Sequence, residues 1–162
     1  AHFSPEKETA EGKNIALVSD AGTPGISDPG YPLIQSALQE KIPVVPIPGV
    51  SAMITALSVS GLPTDSFLFI GFLPRKTIGR KKVLETLKHL ECTLVFYESP
   101  YRIQALLEDI KEVFGNRQIT LARELTKKFE EILRAPVEEI LTQSPKRTIK
   151  GEFTVIVHGG TS

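Results

Sequence analysis

The run Ile15-Ala16-Leu17-Val18-Ser19 leading into Asp20-Ala21-Gly22-Thr23-Pro24-Gly25-Ile26-Ser27-Asp28-Pro29-Gly30 constrains this chain more than any other segment. Five apolar or small residues predict a buried strand. The next eleven residues hold three glycines and two prolines, and a helical pattern follows. A strand that ends in a glycine-rich bend ahead of a helix is where open α/β sheets bind small ligands, outside the carboxyl ends of the strands. Gly22 and Gly25 permit a tight turn and a close approach of main chain to ligand. Asp28 is the expected N-cap and Pro29 the expected first helical residue.

The pattern then alternates. A helix is expected over 29–40, a short buried strand over 43–47, and a helix over 51–60 capped by Ser51 and stopped by Gly61 and Pro63. Gly61-Leu62-Pro63-Thr64-Asp65-Ser66 reads as a linker, with domains expected at 1–61 and 67–162 joined by 62–66. Beyond it the spacing predicts strands at 67–72, 93–97, 118–123, near 129–134 and at 152–158. Helices are expected at 79–90, at 100–114 (capped by Ser99 with Pro100 first), and after Pro136, with a polar turn at 143–149. Alternating strands and helices argue for α/β architecture. The closely spaced last strands argue that the second sheet is mixed. Two strands before the linker are too few for an independent sheet, so the first domain is expected to be a remainder that lacks N-terminal strands.

With 162 residues, 41% hydrophobic and 23% charged, the composition is that of an ordinary globular protein. The formal net charge of zero gives no whole-molecule attraction to nucleic acid or anionic membrane. One cysteine, Cys92, excludes an internal disulfide. His2, His89 and His158 are far apart, so no metal site is expected. No run reaches membrane-span length, and a cytoplasmic location is the default expectation.

Four further motifs have both a functional and a bland reading. The turn Pro48-Gly49-Val50-Ser51-Ala52 is a second small-residue strand–helix junction, which would share a cleft with the first loop if their strands are adjacent. Tyr97-Glu98-Ser99-Pro100-Tyr101-Arg102 leaves a strand and enters a helix; its bland reading is a cap-region ion pair between Glu98 and Arg102. Ala122-Arg123-Glu124-Leu125-Thr126-Lys127 follows another strand, and its bland reading is an exposed charged turn. Arg75, Lys76, Arg80, Lys81 and Lys82 form a basic run, either a solvated face or a phosphate contact.

These motifs, together with Gly71-Phe72-Leu73-Pro74 and Lys150-Gly151-Glu152-Phe153, resemble in their order the tetrapyrrole-methylase-like (class III) superfamily of S-adenosylmethionine-dependent methyltransferases, in its ribosomal RNA branch. The resemblance covers about residues 13–159. It implies two α/β domains, a partial parallel N-terminal one and a C-terminal one with a mixed sheet, with S-adenosylmethionine folded between them. Asp20, Gly22, Thr23, Gly25 and Ile26 would match the first cofactor loop. Ser51 and Ala52 would match the second, and Tyr97, Ala122 and Arg123 the adenosine floor.

In that branch the implied reaction is 2′-O-methylation of a cytidine ribose in 16S ribosomal RNA of the 30S subunit, by a homodimer. Arg75, Lys76, Arg80, Lys81 and Arg102 are then expected to contact RNA. Glu98, Glu124 and Lys127 are the candidates for accepting the hydroxyl proton, Lys127 only if burial lowers its pKa. The competing expectations are a tetrapyrrole or other small-molecule methyltransferase, and a cofactor- or RNA-binding fragment without turnover. Thr23, where tetrapyrrole-modifying relatives carry Asp, and the basic run count against the first of these.

Overall fold

The computed structural model describes residues 12–143 and 150–160; the expected polar turn at 143–149 lies outside them except for Gln143. The chain divides into two compact units, residues 1–51 and 52–162.

Among the described residues of the first unit, the helix is α1, Tyr31–Gln39. Its N-cap is Gly30 at φ 155, with Pro32 in the first turn, so the expected cap at Asp28 and start at Pro29 fall two residues too early. Gly30 is enclosed: a Cβ there would lie 3.1 Å from Leu17 and 3.3 Å from Gly25, and only glycine fits. The expected strands at 14–19 and 43–47 run without a strand ladder and are not buried; Val18 is 80% exposed and Ile47 79%. A parallel strand is stabilised by neighbours that take its hydrogen bonds and by layers on both faces. Among the described residues, two extended segments and one helix supply neither, and Ile15, Leu17, Leu33, Ile34, Val44 and Ile47 line an open groove instead.

The second unit begins with helix α2, Ala52–Ser58. It continues through β1 (Phe67–Phe72), α3 (Thr77–Leu87), β2 (Thr93–Glu98) and α4 (Ile103–Phe114). The chain then runs through β3 (Gln118–Arg123), β4 (Glu131–Pro136), α5 (Val137–Gln143) and β5 (Phe153–Val157). The sheet order is β1-β2-β5-β3-β4, parallel between β1 and β2 and antiparallel elsewhere, so the sheet is mixed as expected. Residues 100–102 form a turn rather than the start of α4, whose N-cap is Arg102. The main-chain carbonyl of Ser99 accepts from the amides of Arg102 and Ile103, which fixes that turn.

Alternation along the strands sorts the core into two layers. Leu94, Phe96, Ile119, Leu121, Val155 and Val157 pack against α3, α4 and α5 on one face. Leu106, Leu107 and Ile110 of α4 recur at helical spacing and are fully buried there. Val95, Ala122 and Ile156 pack on the other face against Ala56 and Leu57 of α2. That contact joins α2 to the second unit, although the sequence reading sets it before the linker. A bulge between Phe69 and Gly71 brings Phe72 opposite Tyr97, two register places beyond the Phe69–Val95 pair. Phe69 and Phe72 therefore share a face, and both rings meet Tyr97 edge-on at 4.9 and 5.8 Å.

Candidate active site

Within the first unit the two small-residue loops meet. The Thr23 hydroxyl donates to the carbonyl of Val50 at 2.9 Å. A Cβ on Gly49 would come within 3.2 Å of the Thr23 oxygen, so main chain takes the place a side chain would need. Asp20, Gly22 and Ile26 are exposed, and Thr23 and Gly25 are half-buried. The expected shared position of the two loops is therefore present, although their flanking segments form no ladder.

In the second unit the remaining expected residues gather where β2 and β3 end and β5 begins. Strand register places Tyr97, Thr154 and Ala122 in one row across β2, β5 and β3. Glu98, Phe153, Arg123 and Glu131 form the next row, on the opposite face. The Tyr97 hydroxyl accepts from the amide of Met53 at 3.0 Å, tying the ring to the first turn of α2. Ala122 is 1% exposed, and its side chain packs beneath α2 instead of presenting a surface.

Glu98 is buried at the end of β2. Its Oε1 accepts from the Ser99 amide at 2.7 Å and from two nitrogens of Arg102 at 2.7 and 2.6 Å. Oε2 is buried with no partner among the described residues. The bland reading of this pair holds: Arg102 is committed to a buried carboxylate, so it is not a mobile RNA contact.

The two charged motifs that sequence leaves 27 residues apart interlock. The Arg123 Nε donates to the Lys150 carbonyl at 2.7 Å. The Glu124 amide donates to the Glu152 carbonyl at 3.0 Å, and the Glu152 amide donates back to Glu124 Oε1 at 2.9 Å. Lys127 Nζ donates to Glu124 Oε1 and to Glu152 Oε2, each at 3.0 Å. Glu124 and Thr126 sit at φ 48 and 65, a left-handed backbone that ordinary side chains adopt only where the surroundings enforce it.

The Glu152 amide and the Lys127 ammonium hold the Glu124 carboxyl below its ordinary pKa. The Glu124 and Glu152 carboxylates raise Lys127 above its own. Lys127 therefore stays an ammonium at neutral pH: the condition for its acting as base is not met, because ion pairing outweighs burial. Glu124 keeps Oε2 without a partner among the described residues, on a side chain 18% exposed. A lowered carboxyl stabilises the fold above its ordinary value and loses that contribution as pH falls through the lowered one. A raised lysine contributes below its ordinary value and loses that as pH rises through the raised one. The stability difference between the parent chain and Glu124→Gln is thus expected to be flat across neutral pH and to vanish at the acid end, as thermal melts at a series of pH values would show.

The basic run divides. Arg75, Lys76 and Lys82 are exposed. Arg80 is 2% exposed, bonded to Asp109 Oδ2 through Nε and through Nη2, both at 2.6 Å, with further donors directed at Thr77 and the Ala105 carbonyl. Lys81 pairs with Glu112 at 2.6 Å and lies 3.7 Å from Asp109. The expected RNA contact at Arg80 is corrected accordingly, because it is buried against Asp109; Lys81 is paired with acids on α4 but stays 30% exposed. Thr154, Gly151 and Asp109 were missed as partners of this region. Only Gly151 had a signal in sequence, its place in the Lys150–Phe153 motif.

Among the described residues no helix is long and apolar enough to cross a membrane. The chain is 55% identical over 149 residues to "Ribosomal RNA small subunit methyltransferase I" of Halalkalibacterium halodurans, covering 92% of this chain and 52% of that protein. It is 52% identical over 151 residues to the Vibrio cholerae protein of the same name, covering 91% and 52%. It thus spans about half the length of the curated relatives it matches. Among solved structures it resembles the methyltransferase CobJ, with a TM-score of 0.68 and 21% identity over 94% of this chain and 67% of that one. It also resembles the uroporphyrin-III C-methyl transferase from Thermus thermophilus complexed with S-adenyl homocysteine, with a TM-score of 0.56 and 18% identity over 83% and 62%. Residues 2–141 match the family described as Tetrapyrrole (Corrin/Porphyrin) Methylases, and the chain belongs to that family.

Proposed function

We propose that this chain is part of an S-adenosylmethionine-dependent methyltransferase acting on small-subunit ribosomal RNA, with a cytidine ribose 2′-hydroxyl as acceptor, in the cytoplasm and as a homodimer. The observation that carries the reading is the interlock of Arg123-Glu124-Leu125-Thr126-Lys127 with Lys150-Gly151-Glu152, in a chain about half identical to relatives named for that RNA. A tetrapyrrole substrate is less well supported, since the solved uroporphyrin-III C-methyl transferase is 18% identical to this chain, whereas the relatives named for ribosomal RNA are about half identical to it.

Within the first unit, main chain without a Cβ at Gly22 and Gly49 fits a close approach by a polar part of the cofactor; within the second, the half-buried Tyr97 ring is an aromatic surface of the kind an adenine uses. When bound, S-adenosylmethionine supplies an already electrophilic methyl group. The protein's task is to place a hydroxyl in line with it and keep it there, which by itself accounts for several kcal/mol of barrier. Glu124, ionised and fixed by Glu152 and Lys127, offers Oε2 to accept the hydroxyl's hydrogen bond and orient its lone pair. Its lowered pKa suits orientation more than full removal of the proton. Glu98 holds Arg102 and the turn at 99–102.

Calorimetric titration with S-adenosylhomocysteine, followed by methyl transfer to 30S subunits and to uroporphyrinogen, tests the reading. Micromolar binding with transfer to RNA is expected. Transfer to the tetrapyrrole alone would replace the substrate, and a folded chain with no affinity for the product would remove the cofactor from the residues named here. Glu124→Gln is expected to keep product affinity and lose about 10²-fold in rate.

A further inference from the structure

The second unit exposes its large apolar side chains unevenly. Its four most exposed among the described residues are Tyr101 at 94%, Ile78 at 86%, Phe129 at 66% and Phe72 at 57%. All four leave the sheet at one edge: Phe72 ends β1, Ile78 opens α3, Tyr101 lies in the turn after β2, and Phe129 lies between β3 and β4. At the other edge, Phe67 and Leu90 are exposed by 38% and 36%. Scattered apolar exposure is normal; the four extremes at one edge are an interaction surface.

The charges there favour one kind of partner. Glu98 is paired with Arg102 and Glu131 with Arg123, Glu124 and Glu152 share the single Lys127, and Glu130 is held only by the Thr126 amide, so Glu130 and Glu152 keep some negative charge at this edge. Arg75 and Lys76 beside Ile78 are exposed with no carboxylate partner among the described residues, and so is Lys128, whose Nζ lies 5.7 Å from the centre of the Phe129 ring. Arg75, Lys76 and Lys128, without carboxylate partners among the described residues, outnumber the uncompensated acids and stand beside exposed rings. That combination fits stacked bases and phosphates.

We infer that Tyr101 and Phe129 are a stacking rim for unpaired nucleotides, with Arg75, Lys76 and Lys128 on the phosphates. This rests on the proposed RNA substrate and specifies it: a single-stranded or splayed-out stretch. β2 and β3 are separated by β5, hence by about 10 Å at ordinary strand spacing. The rim therefore spans two or three nucleotides. Glu124 follows β3 at the same edge, and a rim that stacks unpaired bases would hold a ribose there free of a helix.

The test is fluorescence anisotropy of this chain with a labelled single-stranded RNA of about ten nucleotides and with the same strand in duplex. Single strands are expected to bind more tightly than duplex. Tyr101→Ala and Phe129→Ala are each expected to weaken single-strand binding about ten-fold, and Tyr101→Phe to restore it, with S-adenosylhomocysteine affinity unchanged. Both side chains are solvent-exposed, so folding is not at stake. No RNA binding by the parent chain, or binding indifferent to both alanines, overturns the rim. So does loss of product affinity, or of self-association, in the alanine variants, which would give the surface to cofactor or to a second copy. Retained product binding with indifferent RNA binding sinks the rim alone, whereas absent product binding sinks the proposed function.

Discussion

Asp109→Ala is expected to destabilise the second unit by about 4 kcal/mol, because it leaves the Arg80 guanidinium charged, buried and without its carboxylate. In a unit of this size that lowers the melting temperature by roughly 15 °C or more, readable by circular dichroism. Arg80 cannot swing out to water, since its stem is packed between α3 and α4 and it is 2% exposed. Replacing both partners, Arg80→Met with Asp109→Leu, is expected to recover most of the loss, because an apolar pair needs no compensating charge. The double variant also separates structure from recognition. If RNA binding survives in a refolded double variant, Arg80 serves the α3–α4 contact. If the melting temperature is unchanged in Asp109→Ala, the buried pair carries no stability.

Gly151→Ala is the second large effect, and it falls on chemistry more than on folding. Gly151 sits at φ 99 directly against Glu124, where a Cβ would come within 2.6 Å of Cδ and 2.7 Å of Oε1, and closer still to Cγ. The Glu124 carboxylate must move, breaking its contacts with the Glu152 amide and with Lys127 together. The left-handed backbone adds about 1–3 kcal/mol of strain in a connection outside the sheet, so the fold persists with a modestly lower melting temperature. Displacing an orienting group by about 1 Å costs on the order of 10²-fold in rate. Methyl transfer by Gly151→Ala should therefore fall about as far as by Glu124→Gln, with product affinity retained in both. Full activity in Gly151→Ala would mean that Glu124 does not orient the acceptor.

Most of the second unit was legible in the sequence because its strands are short, apolar and separated by helices with clean periodicity. β1, β3 and α5 lie where the pattern set them, within a residue or two. The placement of Glu98, Arg123 and Glu124 at one sheet edge was legible as well, because residues at the carboxyl ends of strands that run the same way emerge together. The first unit was not. Residues 14–19 have the composition of a buried strand, but composition specifies only a preference, and a strand also needs a neighbour and a cover to satisfy it.

The sequence by itself determined the alternation of elements, the glycine loops, the set of charged residues available and the family to which they belong. Tertiary structure alone decided which charges are spent. Arg80 and Lys81 look like Arg75 and Lys76 in sequence, yet acids on α4 take the first two and leave the second two exposed. It also decided that Phe69 and Phe72 share a face, through a bulge that no alternation pattern shows, and that Glu124 is locked by Glu152. The physical reason is common to all three. Local sequence fixes which way a backbone tends to run, but the partner that neutralises a charge or seats a ring comes from a segment tens of residues away, and only packing brings it there.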